Sequence, residues 1–149
     1  MLEQQKADYL IQMPKRLVIS KNAYSFLQKG ESVVIDAIGV TENEKFIFDI
    51  ARGKIDVRKC TFQDRYERTI KLLRLDITAN GFHYNPDGTR IDGSHIHIYK
   101  EGFGDQYAYA LPYKNIKTLN HLPSLFGEFM EFCSVENIPY IEWRLDENE

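Results

Sequence analysis

The chain has 149 residues, enough for one domain around one hydrophobic core, so residues 1–149 are read as a single unit. With 43% hydrophobic, 28% charged and 13% aromatic residues, it has the composition of a folded globular protein, which excludes disorder as its main state. The net charge of −3 argues against a protein that coats nucleic acid through bulk charge, while leaving room for a local basic site.

No stretch approaches about 18 uninterrupted apolar residues, and the N-terminus lacks the basic start and apolar run of a signal peptide. No membrane span is expected, and the cytoplasm is the expected compartment. Cys60 and Cys133 form neither a disulfide framework nor a CxxC metal motif. Each sits where it can be buried as a small hydrophobe.

The net charge is a sum of unlike parts. Residues 52–74 hold Arg52, Lys54, Arg58, Lys59, Arg65, Arg68, Lys71 and Arg74 against Asp56, Asp64 and Glu67, a local balance of +5; the remainder carries −8. Such a run reads either as a solvated face or as an anion-binding surface, since arginine clamps phosphate or carboxylate bidentately.

In chain order, Leu2, Lys6, Tyr9, Leu10 and Met13 fall along one helical stripe that Pro14 ends. Residues 14–31 give no clear element. SVVIDAIGV (32–40) and FIFDIA (46–51) form a hairpin around TENEK, with Phe46, Phe48 and Ile50 on one side. KIDVRKCTF (54–62), with Ile55 and Val57 in phase, is the next strand, and RTIKLLRLDI (68–77) follows with a slip at Leu72–Leu73 of the kind that a bulge or a doubly buried stretch makes. Residues 78–93 read as a long loop, of the kind that is functional or mobile in compact domains. SHIHIYK (94–100) and QYAYALP (106–112) make the clearest hairpin; Leu122, Leu125, Phe126, Phe129, Met130 and Cys133 recur at helical spacing, and PYIEWRL closes as an edge strand. The sum is an α+β domain: a mostly antiparallel, meandering sheet of about six strands, covered on one face by an N-terminal and a C-terminal helix.

The sharpest chemical feature is His95-Ile96-His97-Ile98-Tyr99. Strand alternation sends Ile96 and Ile98 to the core and lines His95, His97 and Tyr99 on the other face, near His83 and Arg90 of the loop. His121 reads as a capping or surface residue. Three readings compete. Two histidines at i and i+2 can hold a metal ion, with Glu101 or His83 as third ligand, and His95-x-His97-x3-Glu101 resembles the first metal motif of cupins. The rest of that pattern is missing, so no metal and no cofactor is expected. The second reading is metal-independent RNA cleavage, with His83, His95 and His97 as acid–base candidates, Arg68 and Arg74 as phosphate clamps and Tyr99 as an orienting group. The third is a non-catalytic surface meeting a protein partner through Arg65, Arg90, Tyr107 and Tyr109, with Tyr113 and Trp143 as further aromatic contacts.

The stretches FDIARGKIDVRKCTFQDRY (48–66), LRLDI (73–77) and HYNPDGTRIDGSHIHIYKEGFGDQYAYAL (83–111) resemble a family of small, uncharacterised bacterial and prophage proteins. That family shares an H-x-N-P-D-G loop and an H-x-H-I-Y-K-E-G strand-turn. The resemblance implies a setting on mobile elements, where host–phage conflict and toxin–antitoxin components are common. Two functions follow as expectations: a non-enzymatic inhibitor or adaptor that binds a protein partner, and a toxin-like endoribonuclease for which RNA is the partner. The first suits the acidic balance, because a small anionic protein can engage a basic enzyme by charge complementarity.

Overall fold

A computed structural model describes residues 1–20, 23–25, 28–54 and 59–142. The expectations placed on Ile55, Val57 and Trp143 lie outside these residues. The elements run α1 (Gln4–Gln12), β1 (Lys15–Leu17), β2 (Ala23–Ser25), β3 (Ser32–Gly39), β4 (Lys45–Arg52), β5 (Cys60–Tyr66), β6 (Ile70–Ile77), β7 (Phe82–Tyr84), β8 (Arg90–Asp92), β9 (His95–Ile98), β10 (Ala108–Ala110), α2 (Leu122–Phe132) and β11 (Tyr140–Glu142).

The main sheet has seven strands in the order β1-β3-β4-β5-β6-β9-β10, every neighbouring pair antiparallel. It is larger than the six strands expected because Lys15–Leu17, in a segment without readable periodicity, pairs with β3 at its edge. The closing segment does form an edge strand: β11 pairs in parallel with β2 in a separate two-stranded sheet.

Two further expectations shift. Of the strand expected at 54–62, residues 55–58 lie outside the described residues; the described strand runs past 62, from Cys60 to Tyr66, with Phe62, Asp64 and Tyr66 alternating inward. The long loop 78–93 is not structureless, for β7 and β8 pair within it as a small hairpin. The slip at Leu72–Leu73 is a true bulge: Asp64 pairs with Leu73 and Arg65 with Lys71, leaving Leu72 extra, and both leucines are buried.

Both helices contribute to one core on one face of the sheet. From α2, Phe126 stands edge-on to Phe62 at 5.6 Å and Phe129 edge-on to Phe48 at 6.5 Å. Each such ring stabilises the fold by roughly 1.5–3 kcal/mol through burial. The helix is capped by His121, whose Nδ1 accepts from the Ser124 N–H at 3.3 Å. In α1 the buried residues are Ala7, Leu10 and Ile11, so the inward face is turned from the expected stripe and Tyr9 points outward to Glu42.

At the join of the helices with the sheet lies Lys15, fully buried. Its Nζ donates to the carbonyls of Ile11 (2.9 Å), Met13 (3.0 Å) and Cys133 (2.7 Å) and lies over the Phe46 ring at 4.7 Å. Asp64 is buried in the same core, near Lys15 and the Cys133 thiol, and neither of its carboxylate oxygens has a hydrogen-bond partner of good geometry among the described residues. Both cysteines are buried as expected, and burial pushes the Cys60 thiol up to about 12, which removes it as a nucleophile near neutral pH. Among the described residues no helix is long and apolar enough to cross a membrane.

Candidate active site

The face of the sheet opposite the helices carries Thr61, Gln63 and Arg65 of β5, Arg74 and Asp76 of β6, and His95 and His97 of β9. Register decides which of them meet. Arg74 pairs with His97 and Asp76 with His95, so four side chains of two adjacent strands project from neighbouring positions. The β7–β8 hairpin folds against them and brings His83. Its ring stands edge-on to His97 at 4.7 Å and roughly parallel to His95 at 5.8 Å. Gly93, at φ +77°, makes the turn between the hairpin and β9.

The hairpin is docked by Asn85, which is buried and bonds the Ala108 backbone on both sides, donating to its carbonyl at 3.0 Å and accepting from its N–H at 2.8 Å. An open cleft of about 340 Å³ results, lined by Lys59, Thr61, Arg74, Asp76, His83, His95 and His97 with Phe82 at its rim.

Each histidine is oriented by a backbone carbonyl, which can only accept and therefore fixes the ring proton. Nδ1 of His95 donates to Gly93 at 2.7 Å, Nδ1 of His97 donates to Asp105 at 2.8 Å, and Nε2 of His83 donates to Gln106 at 2.7 Å. His95 Nε2 and His97 Nε2 thus turn toward Asp76 Oδ2, at 3.5 and 3.3 Å. His83 keeps Nδ1 as an acceptor.

Arg74 closes the cluster. Its Nε donates to Asp76 Oδ2 at 3.2 Å, its Nη1 to Asp105 Oδ2 at 3.1 Å, and its Nη2 lies 3.0 Å from His97 Nε2. Thr61 donates to the other Asp76 oxygen at 3.2 Å. Burial works against a charge on Asp76, but His95, His97 and Arg74 together more than reverse this and hold its carboxyl far below the usual carboxylate range. Conversely, Asp76 raises the pKa of His95 against the opposing effect of burial, so its acid form persists to higher pH.

The donor set also suits a metal ion in part. One ligand atom each from Asp76, His95 and His97 lies within 4.8 Å of the others. The third ligand is thus Asp76 rather than the expected Glu101 or His83; the Glu101 carboxylate instead accepts from the backbone N–H of Gln4 at 2.7 Å. Arg74, however, already lies against two of the three ligand atoms. A dication there would face the guanidinium across roughly 4 Å, a repulsion of about 8 kcal/mol at an effective dielectric near 20. With Arg74 in place, a guanidinium, a carboxylate and two imidazoles form one hydrogen-bonded group.

Several expected residues lie elsewhere. Tyr99 is buried in the core, where its hydroxyl donates to the Leu2 carbonyl. The strand ends at Ile98 and Tyr99 lies against the Leu72 bulge, its N–H donating to the Leu72 carbonyl at 2.9 Å, so strict alternation no longer sets its side. Arg68 sits in the β5–β6 turn at φ +71° and lines a different cleft with Glu44 and Lys45. Arg65 is engaged by Asp49 through two bonds of 2.6 and 2.9 Å. Arg90 lies on the hairpin, 4.2 Å above the Phe82 ring and 2.7 Å from Asp92. Tyr107 packs edge-on to Phe103 under Lys100, and Tyr109 packs against Tyr113.

Asp76, Asp105 and Thr61 were not foreseen. Asp76 had a signal, since Arg74-x-Asp76 repeats on β6 the i, i+2 spacing of His95-x-His97 on β9. No curated protein and no solved structure matches this sequence. A family model does match, over residues 2–135, and the chain belongs to the family of unknown function DUF6978.

Proposed function

We propose that the histidine cleft is the active site of a metal-independent endoribonuclease. The observation that carries this reading is the convergence of His83, His95, His97 and Arg74 in one cleft, with each imidazole oriented by a carbonyl. A 2′-hydroxyl entering the cleft gives its proton to His83 Nδ1, and the 2′-oxygen attacks the adjacent phosphorus. The bond to the 5′-oxygen breaks, and that oxygen takes the proton of His95 Nε2, yielding a 2′,3′-cyclic phosphate and a 5′-hydroxyl. The long 3.5 Å contact leaves the His95 proton loosely shared with Asp76, so a phosphate oxygen competes for it. Arg74 supplies positive charge beside the reacting phosphate, while His97 and Asp76 position it and His95.

An origin on a bacterial or prophage element, which the sequence resemblance implies, suits such a protein as a cytoplasmic toxin or defence component. The test is incubation of the purified protein with labelled RNA in excess chelator. Cleavage is expected to leave cyclic phosphate ends, to fail on the 2′-deoxy analogue, and to fall about 10²–10⁴-fold in His83→Ala and in His95→Ala. RNA left intact, or activity that needs a divalent ion, overturns it.

A second reading, an adaptor or inhibitor binding a protein partner, has its own observation: Tyr84, Phe103 and Tyr109 are exposed aromatics, at 56, 38 and 38%. It predicts a copurifying partner that Tyr109→Ala releases while His83→Ala does not.

A further inference from the structure

The histidine cleft does not stand alone. A larger cleft of about 660 Å³ adjoins it, and both share Lys59, Thr61, Thr78 and Gly81 in their walls. Two exposed lysines, Lys54 and Lys59, lie in its wall, with no carboxylate among its described lining residues. They set positive charge beside the candidate reacting groups.

Next to the shared Gly81, Phe82 and Tyr84 belong to β7 and have 54 and 56% of their surface exposed, edge-on to each other at 5.6 Å. Exposed rings on the rim of a polar cleft lose hydration cost when a flat apolar surface covers them. The Arg90 guanidinium lies over one face of the Phe82 ring at 4.2 Å, which holds the ring in place and leaves its other face for a base.

We propose that the two clefts are one binding track for single-stranded RNA, with a base stacked on Phe82 and neighbouring phosphates held by Lys54 and Lys59. The proposal rests on reading the histidine cleft as an RNA-cleaving site and adds what selects the substrate. A single strand is the form that fits, because a base must leave its helix to stack on a side chain, whereas the groove of a duplex presents its bases edge-on. The track places a phosphate in the cleft that Lys59 and Phe82 share with His83, His95 and Arg74. Specificity for base identity is weak in this arrangement, since every base has a face to stack.

The experiment uses a fluorescent 2′-O-methyl RNA 10-mer, which cannot be cleaved through a 2′-hydroxyl, and measures binding by anisotropy with the full chain. The 10-mer is expected to bind more tightly than a duplex of the same sequence. Phe82→Leu is expected to weaken binding about 5–150-fold, the range of one base–aromatic stack, while Phe82→Tyr retains it. Lys54→Ala with Lys59→Ala is expected to reduce the slope of log K against log salt by about 1.4, the value for two phosphates on a single strand. An equal preference for duplex, an unchanged Phe82→Leu affinity, or no binding at low salt overturns the track. Binding that follows these expectations while unmodified RNA stays intact keeps the track and removes the cleavage reading.

Discussion

Asp76 and His95 are register partners across β6 and β9, and Asp76 Oδ2 lies 3.5 Å from His95 Nε2. The sheet itself fixes this geometry, because a one-residue slip of either strand would send one of the two into the core. Two hydrophobic patterns, Leu73/Leu75/Ile77 on β6 and Ile96 on β9, therefore hold the charge pair in place as they bury themselves.

Asp76→Asn tests that coupling. Because Asp76 raises the His95 pKa, removing its charge shifts the His95 titration to lower pH, visible in the imidazole NMR signals. If His95 is the acid of cleavage, the alkaline limb of the pH–rate profile moves the same way. The stability sign follows the same logic. The carboxylate contributes stability above its unfolded pKa and loses it as pH falls through its lowered folded value; the raised His95 contributes below its unfolded pKa and loses it as pH rises. Asp76→Ala should destabilise by about 1–3 kcal/mol at intermediate pH in urea titrations, and an unshifted His95 would contradict the pairing.

Asp64 predicts an opposite trend. Burial pushes its carboxyl up to about 6 from an ordinary 3.8, with the Lys15 charge and then the Cys133 thiol pulling the other way. The folded chain thus holds this proton where the unfolded chain releases it. The associated stability is complete below the unfolded pKa and is lost as pH rises through about 6, amounting to roughly 3 kcal/mol by pH 7.5. Asp64→Asn should be the more stable protein at pH 7.5 and should flatten the fall in stability between about pH 4 and 6.5, the interval set by the unfolded and folded values. A variant with the parental slope would show that Asp64 is not its source.

The unequal legibility of the sequence has physical causes. Strands β3, β4, β6 and β9 and helix α2 carry strong apolar periodicity, and their positions were readable from it. The three-residue strands β1, β2, β7 and β8 are too short to show a period; pairing with a longer strand or with one another defines them. The histidines of the site were legible because His95 and His97 interrupt an apolar alternation. Asp76 was missed because one aspartate on a half-buried strand is unremarkable until register sets it opposite His95. Tyr99 and Arg68 were misplaced by the same cause, strand ends, where alternation stops predicting direction.

Asn85 should govern how His83 is presented. Its side chain makes the two bonds that a strand neighbour would make to Ala108, and so fastens the hairpin to β10. Asn85→Ala leaves the buried Ala108 N–H and carbonyl unpaired, a cost of about 1–3 kcal/mol. Amide exchange should accelerate in residues 82–92 while β4, β5 and β6 stay protected. Uniform acceleration across the sheet would mean that the hairpin is not a separate opening unit.

Arg74→Ala should convert the cluster into a metal site. In the parent protein the guanidinium lies 3.2 Å from Asp76 and 3.0 Å from His97, where a dication would otherwise meet two imidazoles and a carboxylate. Removing it deletes the repulsion that opposes metal binding and leaves Asp76 and Asp105 short of a positive partner. Titration with Co²⁺ should give visible d–d absorption in Arg74→Ala and none in the parent at the same concentration, while RNA cleavage falls about 10²–10³-fold as expected for losing one charge-stabilising donor. His97→Ala added to Arg74→Ala should abolish the absorption, which ties the ion to this site rather than to surface carboxylates. Equal Co²⁺ binding by parent and Arg74→Ala would mean that Arg74 swings aside freely, and the proton-transfer reading of the cluster would give way to metal chemistry.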